Sequence, residues 1–190
     1  PPRPGPNYGG VGRGRYAVGH STNLSVDMTT TFESLGVAED VCHALRERGI
    51  TSAFPIQEMT IPDILAGRDV CGNAKTGSGK TVAFGLAMAG ELLNEEGRLP
   101  PPAWPLALVI APTRELALQV SRELEWLYAG ARARIATCVG GMDASKERRS
   151  LRTGPAIVVG TPGRLRDHLE RGALNLSKLA VAVLDEADEM

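Results

Sequence analysis

Hydrophobic and polar residues follow two different patterns along this chain. Segments with apolar residues at helical spacing predict six helices, at 38–48, 55–65, 81–95, 114–128, 144–151 and 162–169. Runs that are almost wholly apolar predict strands at 106–111, 135–139, 156–159 and 179–184. Strands of this kind are buried on both faces, so the alternation predicts an α/β, doubly wound fold: a parallel sheet with helices on both faces.

Glycine and proline mark several of the predicted boundaries. Gly49 and Gly67 follow the first two helices, where a left-handed residue can end a helix, and Pro55 suits a first turn. Pro62 lies inside the second predicted helix and is expected to kink or split it. The apolar-leaning segment 69–72 predicts one more strand, directly before a glycine-rich loop.

Composition changes this picture only at the N-terminus. The net charge of −1 over 190 residues gives no general attraction to nucleic acid or membranes, so any polyanion site has to come from local clustering. The three cysteines are far apart, which indicates reduced thiols and a cytoplasmic protein. Residues 1–30 are rich in Pro, Gly and Arg and are expected to form a disordered tail, either plainly solvated or weakly binding single-stranded nucleic acid.

Residues 74–81 carry the pattern of a phosphate-binding loop, which a strand precedes and a helix follows. Gly77 and Gly79 allow backbone N–H groups to curl around a phosphate, next to the positive end of the following helix. Lys80 can reach the β- and γ-phosphates, and the Thr81 hydroxyl can bind Mg²⁺. The alternative is a flexible glycine turn before a helix.

An acidic pair follows the last predicted strand. Asp185 and Glu186 would lie at the carboxyl edge of the sheet, beside the phosphate loop. There Asp185 can hold Mg²⁺, and Glu186 can orient and deprotonate an attacking water. The alternative is a solvated loop that ends a strand.

Seven segments in order resemble the DEAD-box RNA helicases: Phe32, 49–57, 74–81, 112–117, Gly140-Gly141, 161–164 and 185–188. The resemblance implies a RecA-like P-loop NTPase domain over residues 31–190 that uses ATP and Mg²⁺. It implies catalytic roles for Lys80, Asp185 and Glu186, with Thr81 and Asp185 at the metal. It also implies a nucleotide site formed by Phe32, Gln57, Thr76, Gly77, Ser78, Gly79, Lys80 and Thr81.

Two of these residues would contact the base. Gln57 would read the edge of adenine, since an amide both donates and accepts hydrogen bonds. Phe32 would pack on the face of adenine, and its alternative is ordinary core packing.

Three further blocks resemble the RNA-contacting segments of the family. They comprise Pro112, Thr113, Arg114, Gly140, Gly141, Thr161, Pro162, Gly163 and Arg164. Contacts of this kind with phosphates and sugars imply binding that is independent of sequence and sensitive to salt. Taken singly, the blocks at 112–117 and 161–164 also fit ordinary helix N-termini.

The resemblance further implies that this is an incomplete N-terminal RecA-like domain. The family's Ser-Ala-Thr strand, which is absent here, lies between the phosphate-loop strand and the acidic strand, and a second RecA-like domain supplies arginine fingers. The whole protein is therefore expected to be an ATP-dependent RNA helicase, and this chain alone is expected not to unwind RNA. The rival interpretations are another P-loop ATPase that acts on DNA, and a non-catalytic RNA-binding fragment.

Overall fold

The structure is a computed structural model that describes residues 30–75, 77–94, 96–101 and 103–190. The predicted tail up to residue 29 and the site residue Thr76 lie outside the described residues. The helices are α1 (Glu39–Glu47), α2 (Pro55–Leu65), α3 (Lys80–Leu92), α4 (Arg114–Leu127), α5 (Ala144–Arg152) and α6 (Pro162–Glu170). The strands are β1 (Ala107–Ile110), β2 (Ile135–Cys138), β3 (Ile157–Gly160) and β4 (Val181–Leu184), and short 3₁₀ helices occupy Glu33–Leu35 and Ala187–Glu189.

The four strands form one parallel sheet in the order β2-β3-β1-β4. Their last residues are in register: Ile110 pairs with Gly160 and with Leu184, and Cys138 pairs with Gly160. The loops that follow all four strands therefore leave the sheet at one edge.

Alternate residues of the strands contribute to two separate hydrophobic clusters. Val109 and Val159 belong to the cluster that contains the buried residues of α1, α3 and α4. Leu108 and Val158 belong to a second cluster, formed with Leu151 of α5 and residues of and after α6. Helices thus cover both faces of the sheet, and the predicted α/β class is confirmed.

The prediction of a strand directly before the glycine loop is wrong. Residues 69–72 are described, but they are exposed and form no strand. A strand needs a hydrogen-bonding neighbour, and in the described sheet β4 pairs only with β1. On one face of this edge strand Leu184 is 61% exposed. The sheet is therefore open on the side where the phosphate-loop strand was expected.

Pro62 does not split α2, which runs without interruption from Pro55 to Leu65. A proline in a helix removes the N–H that would bond the carbonyl four residues earlier, here that of Glu58. Pro62 and Glu58 are both exposed, so water can bond this carbonyl.

The boundaries of all six helices lie within three residues of the predicted ones. None of the helices in the described ranges is long and apolar enough to cross a bilayer.

Gly85 of α3 allows a close approach to α4. A Cβ built on Gly85 would lie 2.7 Å from Leu127 Cδ2 and 3.1 Å from Leu124 Cδ2. We expect Gly85→Ala to lower the free energy of unfolding by roughly 1–3 kcal/mol, because overpacking forces these leucines or their backbone to shift. Urea denaturation measures this change. The control is Gly130→Ala, whose Cβ would meet no described atom within 4 Å; equal stability of the two variants would contradict the interpretation.

Candidate functional site

Most of the predicted site residues lie in the loops at the carboxyl edge of the sheet. Because the strand order is β2-β3-β1-β4, these loops follow one another along the edge. The order is Gly140-Gly141, then 161–164, then 112–114, then Asp185-Glu186. The acidic pair is at one end of this row, next to the loop that begins α4.

The glycine-rich loop before α3 is shaped by two left-handed residues, Gly77 with φ 80° and Gly79 with φ 82°. Gly79 directly precedes the first turn of α3, which begins at Lys80. The Ser78 Oγ atom is buried and has no hydrogen-bond partner among the described residues. Exposed glycine backbone, an unpartnered hydroxyl and a helix N-terminus are a suitable environment for an anion.

A cavity of about 190 Å³ lies between this loop and the acidic pair. It is lined by Phe54, Gly77, Gly79, Lys80, Thr81, Leu116, Gln119, Glu123, Asp185 and Glu186. The Lys80 Nζ atom lies 4.0 Å from Glu186 Oε1. The sequence placed these two groups in one site although they are separated by more than a hundred residues, and the structure brings them together.

The two acids differ in their surroundings. Asp185 is 7% exposed. Burial raises the pKa of its carboxyl, Lys80 opposes this rise, and the charges of Glu186 and Glu123 add to it. Glu186 has a left-handed backbone, with φ 49° and ψ 50°. Asp185 thus offers a buried carboxylate oxygen whose charged form would be favoured by a cation, and oxygen donors of this kind fit Mg²⁺.

We expect Asp185→Asn to raise the melting temperature of the ligand-free protein at neutral pH. A carboxyl with a raised pKa contributes stability below its unfolded pKa of about 4, and this contribution is lost as the pH rises through the folded value. An asparagine side chain does not ionise, so the variant avoids this loss of stability at neutral pH. Its higher melting temperature should therefore disappear in acid. Thermal melts at neutral pH and at about pH 4 measure the difference. Asp188→Asn, at an exposed acid, is the control; a lower melting temperature for Asp185→Asn at neutral pH would contradict the argument.

The two residues predicted to contact the adenine base are both buried. Gln57 is 1% exposed. Its Oε1 accepts from Phe54 N at 2.8 Å, and its Nε2 donates to Gly79 O at 3.1 Å. Gln57 therefore ties the start of α2 to the phosphate loop. Phe32 is 2% exposed and belongs to the hydrophobic core, away from the lining of the cavity, which corresponds to the alternative interpretation of core packing.

Several residues of the cavity were missed by the sequence analysis. Phe54 is 53% exposed, and its Cδ2 would lie 2.9 Å from a Cβ on Gly79. It lies in the segment 49–57 that resembles the family, but the sequence analysis gave it no role of its own. Gln119 and Glu123 extend into the site from α4, where Gln119 Nε2 donates to Glu123 Oε1 at 3.0 Å. The sequence analysis placed them in the helix at 114–128 and gave them no role.

The predicted RNA-contacting blocks at 112–114 and 161–164 both lie beside the loop Gly140–Met142, which contains the third block. Thr113 caps α4 by accepting from Leu116 N at 3.2 Å, whereas Thr161 makes no such bond at the start of α6. Pro112 and Thr161 are half-buried, and Pro162 and Gly163 are exposed. The Arg114 Nη1 atom would lie 3.0 Å from a Cβ on Gly141. The structure therefore brings the three blocks together into one surface.

A larger cavity, of about 900 Å³, lies at the opposite edge of the sheet. Its lining includes the residues just before the strands, such as Leu106, Arg134 and Ala156, together with Trp104. It contains none of the predicted site residues. Large size alone does not indicate a binding or catalytic function, so the smaller cavity at the carboxyl edge is the candidate site.

The chain matches the family model of the DEAD/DEAH box helicases over residues 54–190. It is 45% identical to the DEAD-box ATP-dependent RNA helicase CshA of Bacillus licheniformis over 163 residues, which is 86% of this chain and 32% of that protein. It is 46% identical to the ATP-dependent RNA helicase CshA of Listeria monocytogenes over 161 residues, 85% of this chain and 30% of that protein.

Its fold also resembles a solved structure, that of a hypothetical ATP-dependent RNA helicase from Sulfolobus tokodaii. The TM-score is 0.70 at 34% sequence identity, over 79% of this chain and 41% of the other. The chain spans about a third of the length of the curated relatives. The family model covers most of the chain, and the glycine loop and the acidic pair both lie within the matched residues. The chain therefore belongs to the DEAD/DEAH box helicase family.

Proposed function

We propose that this chain is the ATP-binding domain of an ATP-dependent RNA helicase, in which ATP hydrolysis drives local unwinding of RNA duplexes or remodelling of RNA–protein complexes. The observation that carries this proposal is the cavity between Lys80 and the Asp185–Glu186 pair, at the end of a row of candidate RNA-contacting loops. The names of the relatives agree with it.

In this proposal the glycine loop binds the phosphates of ATP through its backbone N–H groups, and Lys80 contacts the β- and γ-phosphates. The bound Mg²⁺, held by Thr81 and Asp185, would neutralise charge on the phosphate oxygens. Ser78 and Thr76 are proposed as further contacts to the nucleotide, and Gln57 holds the loop in place through its hydrogen bond to Gly79 O. The 190 Å³ cavity is smaller than a whole nucleotide needs, so the base would lie outside it, towards the exposed Phe54.

Glu186 is proposed as the residue that orients the attacking water and accepts its proton. Its Oε1 atom lies 4.0 Å from Lys80 Nζ, the group proposed to contact the γ-phosphate, so the carboxylate is close to the reacting phosphate. Arginine fingers from a second RecA-like domain would supply the remaining charge at the transition state. The expectation that this chain alone does not unwind RNA agrees with this requirement for a second domain.

RNA would bind along the row of loops through its phosphates and sugars. Backbone N–H groups at the start of α6, together with Arg114 and Arg164, would contact successive nucleotides. Binding of ATP and RNA would close the two domains, bend one strand and expel the other. A cytoplasmic location is part of the proposal, supported by cysteines that form no disulfide in the described residues.

Nucleotide and nucleic-acid preference tests the proposal. We expect the full-length protein to hydrolyse ATP rather than GTP, with stimulation by single-stranded RNA and not by DNA of the same sequence. Equal use of both nucleotides, or equal stimulation by DNA, would favour a different P-loop ATPase. RNA binding without RNA-stimulated hydrolysis would favour a non-catalytic RNA-binding protein.

A further inference from the structure

Glu147 of α5 is a buried acid that the nucleotide site does not use. The residue is 4% exposed. Its Oε1 accepts from Val139 N at 3.0 Å, and its Oε2 lies 2.7 Å from His168 Nε2. A buried carboxylate is costly unless it is paired and hydrogen-bonded, so these contacts are what stabilise Glu147 in its buried position. It joins the end of β2, the helix α5 and the helix α6.

Arg164 connects Glu147 to the candidate RNA surface. Its Nε lies 3.6 Å from Glu147 Oε2, and its Nη2 donates to Met142 O at 3.3 Å. Its side chain is only 18% exposed. One guanidinium therefore holds the start of α6 against the loop Gly140–Met142, and Arg114 also lies close to this loop, at Gly141. All three candidate RNA-contacting blocks meet at this loop.

His168 is the third residue that contacts the Glu147 side chain, after Val139 and Arg164. Its Nε2 is within hydrogen-bonding distance of the carboxylate, and its Nδ1 is buried without a partner among the described residues. A proton on Nε2 would be donated to the Glu147 carboxylate.

A metal site is the alternative explanation, because Cys138, Glu147 and His168 place ligand atoms within 4.8 Å of one another. Both Glu147 oxygens are already engaged by Val139 and His168. Burial, with the Glu147 charge adding to it, raises the pKa of the Cys138 thiol to about 12, which opposes the thiolate that a metal needs. The contacts therefore favour hydrogen bonding over metal binding.

We propose that Glu147 is a positioning residue for RNA binding, which holds Arg164 and the loop Gly140–Met142 in the arrangement that meets the RNA backbone. The inference rests on the proposed function, because it concerns the same RNA surface. Glu147 itself touches no RNA. Its effect passes through the Arg164 guanidinium and the backbone of the loop.

The test is the affinity of the full-length protein for a fluorescent oligo(U), measured by anisotropy with a non-hydrolysable ATP analogue and Mg²⁺ across several salt concentrations. We expect Glu147→Gln to weaken binding by about tenfold, because the amide keeps an acceptor for Val139 but loses the charge that faces Arg164. The slope of log K against log salt should become shallower by roughly 0.7, the value for one lost phosphate contact on a single strand. The affinity for ATP without RNA should stay unchanged.

Glu170→Gln is the matched control. Glu170 also pairs with an arginine on α6, with Arg166 Nε 2.7 Å from Glu170 Oε1, but both side chains are mostly exposed. Removal of the Glu170 charge should change neither the affinity for RNA nor the slope of log K against log salt. Arg164→Lys is the second variant, because a single ammonium replaces the fork that spans Met142 and Glu147 while Glu147 keeps its other partners. If Glu147→Gln fails to fold, weaker RNA binding by Arg164→Lys supports the Arg164 contact through which Glu147 would act, and unchanged binding overturns the inference.

A double variant separates positioning from general destabilisation. If Glu147 acts through Arg164, adding Glu147→Gln to Arg164→Lys should weaken RNA binding no further. Additive losses, or RNA affinity and salt slope unchanged in both single variants, would overturn the inference alone. Zinc binding that Glu147→Gln removes would also overturn it. Absence of RNA binding in the wild-type protein would overturn the proposed function and this inference with it.

Discussion

Glu186→Gln is expected to lower the RNA-stimulated ATP turnover of the full-length protein by about 10²–10⁴-fold, the usual contribution of a general base. The amide keeps the size of the side chain but cannot accept a proton from water. ATP binding should be retained, because the glycine loop, Lys80 and Asp185 remain and one negative charge near Lys80 is removed. Steady-state turnover and equilibrium ATP binding, measured on the same preparation, separate the two effects.

The control for this variant is Glu189→Gln, at an exposed acid only three residues further along the chain. It removes the same charge without changing the cavity and should leave turnover unchanged. Unchanged turnover in Glu186→Gln would show that another group activates the water. Loss of ATP binding together with turnover would assign Glu186 to the nucleotide rather than to the water.

Gly79→Ala is expected to weaken ATP binding by at least about tenfold. Gly79 has φ 82°, and a Cβ there would lie 2.5 Å from Gln57 Nε2. The left-handed conformation alone costs an L-residue roughly 1–2 kcal/mol, and about 1.4 kcal/mol corresponds to a factor of ten. The added methyl would also disrupt the bond from Gln57 to Gly79 O, which holds the loop in place.

Gly130→Ala serves again as the matched control, since Gly130 is not among the glycines with positive φ and its Cβ would meet no described atom within 4 Å. Equilibrium binding of a fluorescent ATP analogue compares the two variants. Equal affinities would mean that the glycine loop adjusts freely and that its observed shape does not determine nucleotide binding.

The layered α/β fold was predictable because its strands are apolar runs. Residues such as Val109 and Val158, which face opposite clusters, need apolar neighbours on both sides of the sheet. The proximity of Lys80 and Glu186 was predictable for a related reason: loops that follow parallel strands leave the sheet at one edge. The prediction of a strand at 69–72 was wrong, because a strand needs a neighbour to pair with, and the strand expected between it and β4 is absent from this chain.

Individual side chains in the site were harder to predict than its location. Phe32 and Phe54 are both aromatic residues near the first helices, yet one is buried in the core and the other is exposed beside the glycine loop. Glu147 lies in a helix rich in basic residues, and a charged residue is expected to be exposed unless its partners are known. Its partners come from β2 and α6, which only the tertiary structure brings together.

The most direct measurement of the central claim is a crystal structure of the protein with a non-hydrolysable ATP analogue and Mg²⁺. We predict the triphosphate within the glycine loop, with Lys80 on the β- and γ-phosphates, Mg²⁺ between Thr81 and Asp185, and Glu186 facing the γ-phosphate. Nucleotide bound elsewhere, for example in the 900 Å³ cavity near Trp104, would contradict the account.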